Sequence, residues 1–514
     1  MGQTTIVLML ITILSKILGF VRESVMAAYI GAGELKSIYT TANTIPLVIS
    51  NIIASGIVSG FIPMYNKAKN ELGESGAKEF TNDLLNILLL IGTVSLLIIF
   101  IFARPITKLL SPDLDGPLLD LATNYTRIIM FVVHAFLYSA VIKGYLNLKG
   151  NFIDPVITGI ILNIFIIFAT ILTSKYKNPY ILIIGALLGN VLQYFRYPIV
   201  AKKLGYKYKM SLNYRNSYLK YMMLLAVPII ISSAAGEISI IVDNAMGSAF
   251  FGKDSVSKIF YAKTMLGFIL GVVTMSVTTV TFPEIARLGQ LGEIDSMKIK
   301  VDSALILSLV LVVPSTVGMM ILSNPIIELA FERNAFTSTD TIIVASLMTS
   351  YAPYVIFWTI TKLLANSFYS VGTSKIPVII ILLQQFINFI LNFILIKFFD
   401  IDGLAYATTI STAIGSLLML IMFHRQFGKI NLKRGLISSL KITIATVIMG
   451  ISSFLLYSFF IKKTTLSLCL IMTVVISACI YVLCIYFSKI DEIEDMKSLL
   501  RIKMGGIING FRDR

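Results

Sequence analysis

Residues 15–34 read SKILGFVRESVMAAYIGAGE, and the fold turns on where Lys16, Arg22 and Glu23 are placed. The apolar run that contains them, about residues 5–31, is long enough to cross a hydrocarbon core of about 30 Å. A charged side chain in the middle of such a helix costs about 3 kcal/mol or more. The run therefore reads as a membrane helix whose charges face protein or a water-filled cavity, not lipid. It does not read as a cleavable signal peptide: a basic n-region and a small-residue cleavage site are both missing.

The rest of the chain carries the same signal. Of its 514 residues 56% are hydrophobic and 14% charged, with mean hydropathy +0.86, whereas soluble domains carry roughly a quarter charged residues. Apolar runs recur throughout, at roughly 5–31, 36–65, 82–103, 118–145, 153–173, 179–200, 218–250, 257–285, 301–328, 339–369, 375–397, 402–424, 437–461 and 465–488. The fold class is thus an all-α polytopic membrane protein with about 14 transmembrane helices. The polar intervals are too short for a large soluble domain, and a β-barrel would show short alternating segments instead.

The formal net charge is +16, which in a soluble protein would raise nucleic-acid binding. Its distribution argues against a nucleic-acid partner. One loop holds Arg196, Lys202, Lys203, Lys207, Lys209, Arg215 and Lys220; a second holds Arg425, Lys429, Lys433, Arg434 and Lys441; the tail holds Lys497, Arg501, Lys503, Arg512 and Arg514. Threaded alternately, these fall on one side, so both termini are expected in the cytoplasm, with anionic lipid facing the basic loops. Cys469, Cys479 and Cys484 lie in the last apolar pair without metal-ligand spacing. There is no Gly-rich loop ending in Lys-Ser/Thr, and His134 and His424 are the only histidines. Neither ATP hydrolysis nor a zinc or haem site is expected. Energy would come from an ion gradient, the membrane potential or removal of the substrate.

An internal repeat organises the chain. GNFIDPVI (Gly150–Ile157) matches GTSKIPVI (Gly372–Ile379). Glu23, Met26, Gly31, Tyr39 and Pro63 parallel Asp243, Met246, Gly252, Tyr261 and Pro283, at an offset of about 220 residues throughout. Two pseudo-symmetric six-helix halves, 1–215 and 216–430, follow, with two C-terminal helices at 431–490 and a cytoplasmic tail at 491–514. Parallel six-helix halves imply a central cavity and alternating access: a transporter, not an enzyme.

Polar stripes mark the leading pair of each half. In the second span Thr44, Asn51, Ser55 and Ser59 share a face, with Gly56 and Gly60 alongside to allow close packing. In the seventh, Ser232, Gly236, Ser239 and Asp243 share one; in the eighth, Lys263, Thr274, Thr278 and Thr281 do. Lys16, Arg22 and Lys263 would make a cavity between these helices net basic, with Glu23, Glu237 and Asp243 offsetting part of the charge. Such a cavity suits phosphate or pyrophosphate and repels lipophilic cations. Blander readings stand beside this one: Lys16 snorkelling to the interface, Arg22 in a structural ion pair, Lys263 at the rim, and the hydroxyl stripes as helix-packing contacts. Gln385, Asn388 and Asn392 on one span, Thr408 and Thr412 on the next, and Asp243 are hard oxygen ligands that suit Na⁺, or a proton on the Asp. Polar packing between helices is the alternative.

SKILGFVRE, IGAGE, FIPMY (Phe61–Tyr65), IVDNAMGS (Ile241–Ser248), FYAKTMLGFILG (Phe260–Gly271), VPSTVGMMILSNPIIELAFERNAFTSTDT (Val313–Thr341) and KLLANSFYSVGTSKIPV (Lys362–Val378) occur in this order. Together they resemble the MurJ-type lipid II flippases of the multidrug/oligosaccharidyl-lipid/polysaccharide exporter superfamily. The resemblance covers about residues 10–425, and the two extra C-terminal spans fit the family's 14-helix plan. It implies a flippase in the bacterial plasma membrane. Such a flippase moves an undecaprenyl-pyrophosphate-linked peptidoglycan precursor to the outer leaflet, serving cell-wall biogenesis and cell shape, with contacts to cell-wall synthesis enzymes. Substrate-binding residues so implied or read above are Lys16, Arg22, Glu23, Asn51, Ser55 and Lys263. Arg22 matches a cavity arginine. Lys16 stands where the family has another, Ser50 and Thr264 where it has two more, and Ser37 and Ser55 replace acidic positions. The resemblance also implies a sodium site at Asp243, Asn388, Asn392 and Thr408, with Asn392 in place of an Asp, and a lipid-tail groove beside the last two spans. The departures keep a second cargo open, another polyprenyl-linked oligosaccharide. A cation-coupled small-molecule exporter and a non-transporting scaffold are the remaining alternatives.

Overall fold

The structure, a computed structural model, describes residues 2–271, 275–428 and 432–490. Thr274, Lys429 and the tail residues Lys497, Arg501, Lys503, Arg512 and Arg514 lie outside the described residues, as do the side chains of Ser59, Thr278, Lys433 and Arg434. Among the described residues the regular elements are helices. Ten helical segments are long and apolar enough to cross a membrane. The other expected spans, at 5–31, 36–65, 179–200 and the described part of 257–285, fall mainly on helices as well. Large apolar side chains such as Phe168, Phe398 and Phe454 are exposed on these helices. Such surfaces match lipid, not water.

Two compact units are formed, one from the residues up to Phe260 with Ala330–Thr341, the other from Tyr261–Leu329 with the chain from Ile342 onward. The first holds α1 (Gly2–Ile30), α2 (Glu34–Ile101), α3 (Ala103–Leu110), α4 (Gly116–Ile129), α5 (Val132–Leu148), α6 (Ile153–Tyr176), α7 (Tyr180–Leu192), α8 (Arg196–Lys203), α9 (Ser217–Phe251) and the start of α10 (Ser255–Ile269). Within it α1 packs on α6, and α2 packs along α5 and α9. The second holds α11 (Met275–Gln290), α12 (Ile294–Ile321), most of α13 (Ser323–Phe331), α14 (Ser338–Tyr351) after its first turn, α15 (Tyr354–Ser370), α16 (Lys375–Phe399), α17 (Asp402–Phe427), α18 (Leu432–Phe460) and α19 (Leu466–Phe487). There α16 packs on α17, and α12 on α18. The division follows packing and not the repeat, since α9, which opens the second six-helix half, packs within the first unit.

The repeat reappears as matched backbone geometry. α5 ends at Gly150 with φ +78° and α15 at Gly372 with φ +77°. In the first, Asn151 N donates to Leu146 O at 2.9 Å; in the second, Thr373 N donates to Phe368 O at 3.0 Å. A left-handed residue after the helix lets the next amide reach back to the last turn, and glycine adopts that conformation without a Cβ penalty.

Two features of α2 were not legible as such. The sequence suggests two spans joined by a polar connection; the structure keeps that connection helical. Sixty-eight residues of straight helix would run about 100 Å, over three times the hydrocarbon core. Gly73, at φ 73° and ψ −175°, breaks the run into two directions. Beside it the Glu74 carboxylate is held by Lys69 at 3.3 Å and by Lys149. Further along, Asn82, Asp83 and Asn86 sit three and four residues apart, on one helix face. Asp83 accepts from Ser211 Oγ at 2.8 Å, Asn213 N at 3.2 Å and Asn216 Nδ2 at 2.9 Å. Asn82 Oδ1 accepts from Tyr206 OH at 2.7 Å, and Asn86 Nδ2 donates to Ser211 O at 2.7 Å. The basic interval expected as a polar loop is thus strapped onto α2, its backbone groups satisfied by side chains where no ladder is available.

Candidate functional site

The charges of the opening stretch are gathered into one cluster. Arg22 Nη2 and Nε donate to Glu23 Oε1 at 2.6 and 3.0 Å. Lys36 Nζ donates to Glu23 Oε2 at 2.9 Å. The ammonium also lies 2.8 Å from Met26 Sδ, 4.3 Å from the centre of the Phe260 ring and 5.4 Å from that of Tyr39. Lys36 is completely buried, Glu23 nearly so, and the Arg22 side chain keeps 23% of its exposure. Breaking a buried ion pair by removing one partner costs about 3–5 kcal/mol, because the remaining charge is stranded. Here each carboxylate oxygen has its own cation, and the aromatic faces add attraction for the ammonium. The cluster as a whole is left with one net positive charge, and its most accessible member is the guanidinium.

Chain geometry explains the meeting. α1 ends at Gly31, φ +79°, whose N–H reaches back to Ala27 O at 2.9 Å. The chain reverses at once into α2, so Lys36 in its first turn comes alongside Glu23 in the next-to-last turns of α1. The turn is crowded: a Cβ on Gly31 would run into the Ala335 carbonyl. Ala335, in the FERNAF segment, donates its N–H to Ala28 O at 3.2 Å. Sequence reading missed Lys36, because a lysine at a helix start passes for an interfacial anchor. Its spacing of thirteen residues from Glu23 across a Gly-containing turn was the available signal.

The other expected residues are placed more loosely. Lys16 is exposed on α1 and makes no ion pair among the described residues. Asn51 Nδ2 donates to Glu237 Oε1 at 3.0 Å, joining α2 to α9. Ser55 Oγ turns back onto Ile52 O at 2.7 Å and Thr44 Oγ1 onto Thr40 O at 2.9 Å; Thr281 Oγ1 does the same with Val277 O at 2.9 Å. These hydroxyls are satisfied by their own helices. Gly56 faces Ala226 and Ile230, and Gly60 faces Met222, so closely that a Cβ on Gly60 would stand 2.6 Å from Met222 Cγ. Lys263 belongs to the second unit, half-buried, with its Nζ 5.0 Å from the centre of the Tyr351 ring.

Asp243 is buried in α9 of the first unit. In the second unit α16 and α17 form a polar ladder. Asn388 Nδ2 donates to Thr408 Oγ1 at 3.3 Å, Thr408 Oγ1 donates to Leu404 O at 3.0 Å, and Asn392 is fully buried on the same α16 face. The residue paired with Thr412 is Gln384, at 3.1 Å, and not Gln385. Residues 384, 388 and 392 repeat every four positions and stay on the buried stripe, whereas Gln385 is rotated about 100° away. The amide and hydroxyl oxygens of Asn388, Asn392 and Thr408 are neutral hard donors, the chemistry Na⁺ prefers over soft-metal ligation.

Beside α18 and α19 lies an apolar groove of about 530 Å³, bounded by Pro314 and Met319 of α12, Met449 of α18, and Val474 and Tyr481 of α19. Tyr481 OH donates to Val310 O at 2.7 Å, which ties that polar tip to the α12 backbone.

Comparisons with known proteins bear on the family and the fold. The family model described as "Lipid II flippase MurJ" matches residues 26–484. A "Probable lipid II flippase MurJ" of Buchnera aphidicola is 27% identical over 421 residues, 80% of this chain and 81% of that protein. One from Vibrio cholerae is 26% identical over 441 residues, 82% of this chain and 83% of that protein. A solved structure of "Lipid II flippase MurJ, inward closed conformation" superposes with TM-score 0.79 and 25% identity, covering 93% of this chain and 98% of that one. An inward-facing multidrug transporter of the MATE family shares the fold, with TM-score 0.63 at 12% identity.

Proposed function

The chain belongs to the lipid II flippase MurJ family, and from that premise we propose that it moves lipid II from the inner to the outer leaflet of the bacterial plasma membrane by alternating access. The observation that carries the reading is the Arg22–Glu23–Lys36 cluster. It retains one net positive charge among membrane helices and offers the accessible guanidinium of Arg22. A guanidinium presents paired N–H donors that match pyrophosphate oxygens. Glu23 fixes its orientation. Lys36 neutralises Glu23, so the carboxylate does not repel an incoming anion. Lys16 supplies further positive charge within the same unit, and Asn51 and Ser55 supply polar surface. The groove at α12, α18 and α19 suits a prenyl tail. On this reading the protein makes and breaks no covalent bond in its cargo.

Both termini lie in the cytoplasm on this reading, which the charge of the alternate loops supports. The reset step uses a cation, Na⁺ or a proton, taken by Asp243 or by the oxygens of Asn388, Asn392 and Thr408. Cell-wall synthesis enzymes are the partners expected to consume the product. A second reading, another polyprenyl-linked oligosaccharide as cargo, is favoured by Ser50 and Thr264, which stand where the resemblance implies arginines.

The test is complementation of bacteria depleted of their own lipid II flippase, read as externally accessible lipid II. Wild-type rescue that is lost with Arg22→Ala supports the proposal. Membrane-inserted protein that fails to rescue shifts the cargo to another lipid-linked glycan, and rescue by Arg22→Ala removes the role given to the cluster.

A further inference from the structure

Within the first unit a cavity of about 460 Å³ lies between α2, α5, α6 and the α7–α8 junction. Its polar wall is Ser50 and Asn51 of α2, Ser139, Lys143 and Asn147 of α5, and Thr158 of α6; Lys143 is the one charged residue in the lining. Two neighbouring cations are committed to carboxylates: Arg196 donates to Asp154 at 2.5 Å, and Lys149 binds Glu74. Lys143 makes no ion pair among the described residues. Opposite it, Ser50 is 5% exposed, and among the described residues its Oγ has no hydrogen-bond partner. A buried hydroxyl left unsatisfied costs about 1–3 kcal/mol unless something comes to fill the site.

A lysine near the end of a membrane helix has a simple alternative role, anchoring the helix at the interface. The repeat argues for more. With Gly150 set against Gly372, the second-half counterpart of Lys143 is Ala365, and Lys362 stands three residues before it on α15. Three residues is nearly one helical turn, so both halves place a lysine on the corresponding face of their fourth span. Helix anchoring needs a depth in the membrane, not a face.

We propose that Lys143 is a second phosphate-binding residue, and that this cavity takes the pyrophosphate of the lipid-linked substrate as a subsite apart from Arg22. The inference rests on the flippase reading above. The ammonium supplies charge, and the hydroxyls of Ser50 and Ser139 with the Asn147 amide supply neutral donors to phosphate oxygens. An acidic phospholipid presents the same phosphate chemistry, so the test separates the two.

The full-length chain is placed in lipid nanodiscs, and binding of a polyprenyl pyrophosphate is measured by titration calorimetry for wild type, Lys143→Met, Lys143→Arg and Lys143→Met/Ser50→Arg. Lys143→Met is expected to weaken binding about tenfold, roughly 1.4 kcal/mol. Lys143→Arg keeps the affinity, and the double variant recovers it by returning a cation to the same cavity. Wild-type affinity in Lys143→Met overturns the proposal. So does a variant that loses phosphatidylglycerol binding while its polyprenyl pyrophosphate binding is intact, which makes the cavity a phospholipid site. Arg22→Ala distinguishes the two levels. If it weakens binding while Lys143→Met does not, only this inference fails; if neither does, the flippase reading fails with it. Should Lys143→Met not fold, Ser50→Arg in the wild-type background is expected to tighten binding, and unchanged affinity overturns the proposal.

Discussion

The Arg22–Glu23–Lys36 cluster and the α16–α17 ladder both bury polar side chains in membrane helices, and they do so with different chemistry. In the first, three formal charges are brought together across a tight turn, each carboxylate oxygen with its own cation. In the second, amides and hydroxyls pair with each other and with their own backbone, and the pairs Gln384–Thr412 and Asn388–Thr408 carry no formal charge. The charged cluster is costly unless complete and leaves a net positive site suited to an anion. The neutral ladder is cheap to keep and offers oxygen atoms suited to a cation. The two regions thus differ in the charge of the ligand they suit, which is what the proposed ion-coupled cycle requires.

The comparison breaks most sharply at Lys36. Lys36→Met strands the second oxygen of Glu23 in the protein interior, and a loss of about 3–5 kcal/mol is expected. Thermal unfolding in detergent measures it, and the double variant Lys36→Met/Glu23→Gln should regain most of the loss. If the single variant is as stable as wild type, the carboxylate is not held as described. A smaller effect is expected at the ladder. Asn388→Leu removes one interhelical hydrogen bond, worth about 0.6 kcal/mol between membrane helices. If α16 and α17 hold the coupling ion, sodium chloride should raise the unfolding temperature of wild type over choline chloride, and Asn392→Leu should abolish that rise. A rise preserved in Asn392→Leu removes the ladder from the cation role.

The smallest effect belongs to an ion pair without burial, which serves as the reference for the cluster. Lys108 Nζ lies 2.6 Å from Asp115 Oδ1 at the exposed end of α3. The hydrogen bond and charge of Lys108 hold the Asp115 carboxyl below the usual aspartate range. A depressed carboxyl stabilises the fold above its unfolded pKa, and that contribution is lost as pH falls through the folded value. Lys108→Ala should raise the Asp115 titration towards the usual aspartate range, followed by carboxyl chemical shift, with little change in stability because the pair is solvated.

Much of this was legible in the chain. Apolar runs of membrane length and the Gly-Pro-Val-Ile repeat are local signals, and they map onto helices and onto the caps at Gly150 and Gly372. That Arg22 and Glu23 would turn towards protein was equally visible, because a charge inside an apolar run has few explanations. What could not be read were pairings made at a distance. Lys36, at the start of an apolar run, shows no local sign of the partner that the Gly31 turn brings to it, Glu23. Gln384 and Gln385 are indistinguishable by composition, and only the rotation of α16 against α17 selects one. The basic interval after α8 reads as a loop, and only the Asn82–Asp83–Asn86 face shows that it is strapped down. The hydrophobic requirement of the bilayer acts on each segment alone, so the sequence by itself determined the helices, their number class and the family. Which polar groups meet depends on turn geometry and helix rotation, which are set by packing among segments, and that was decided only by the tertiary structure.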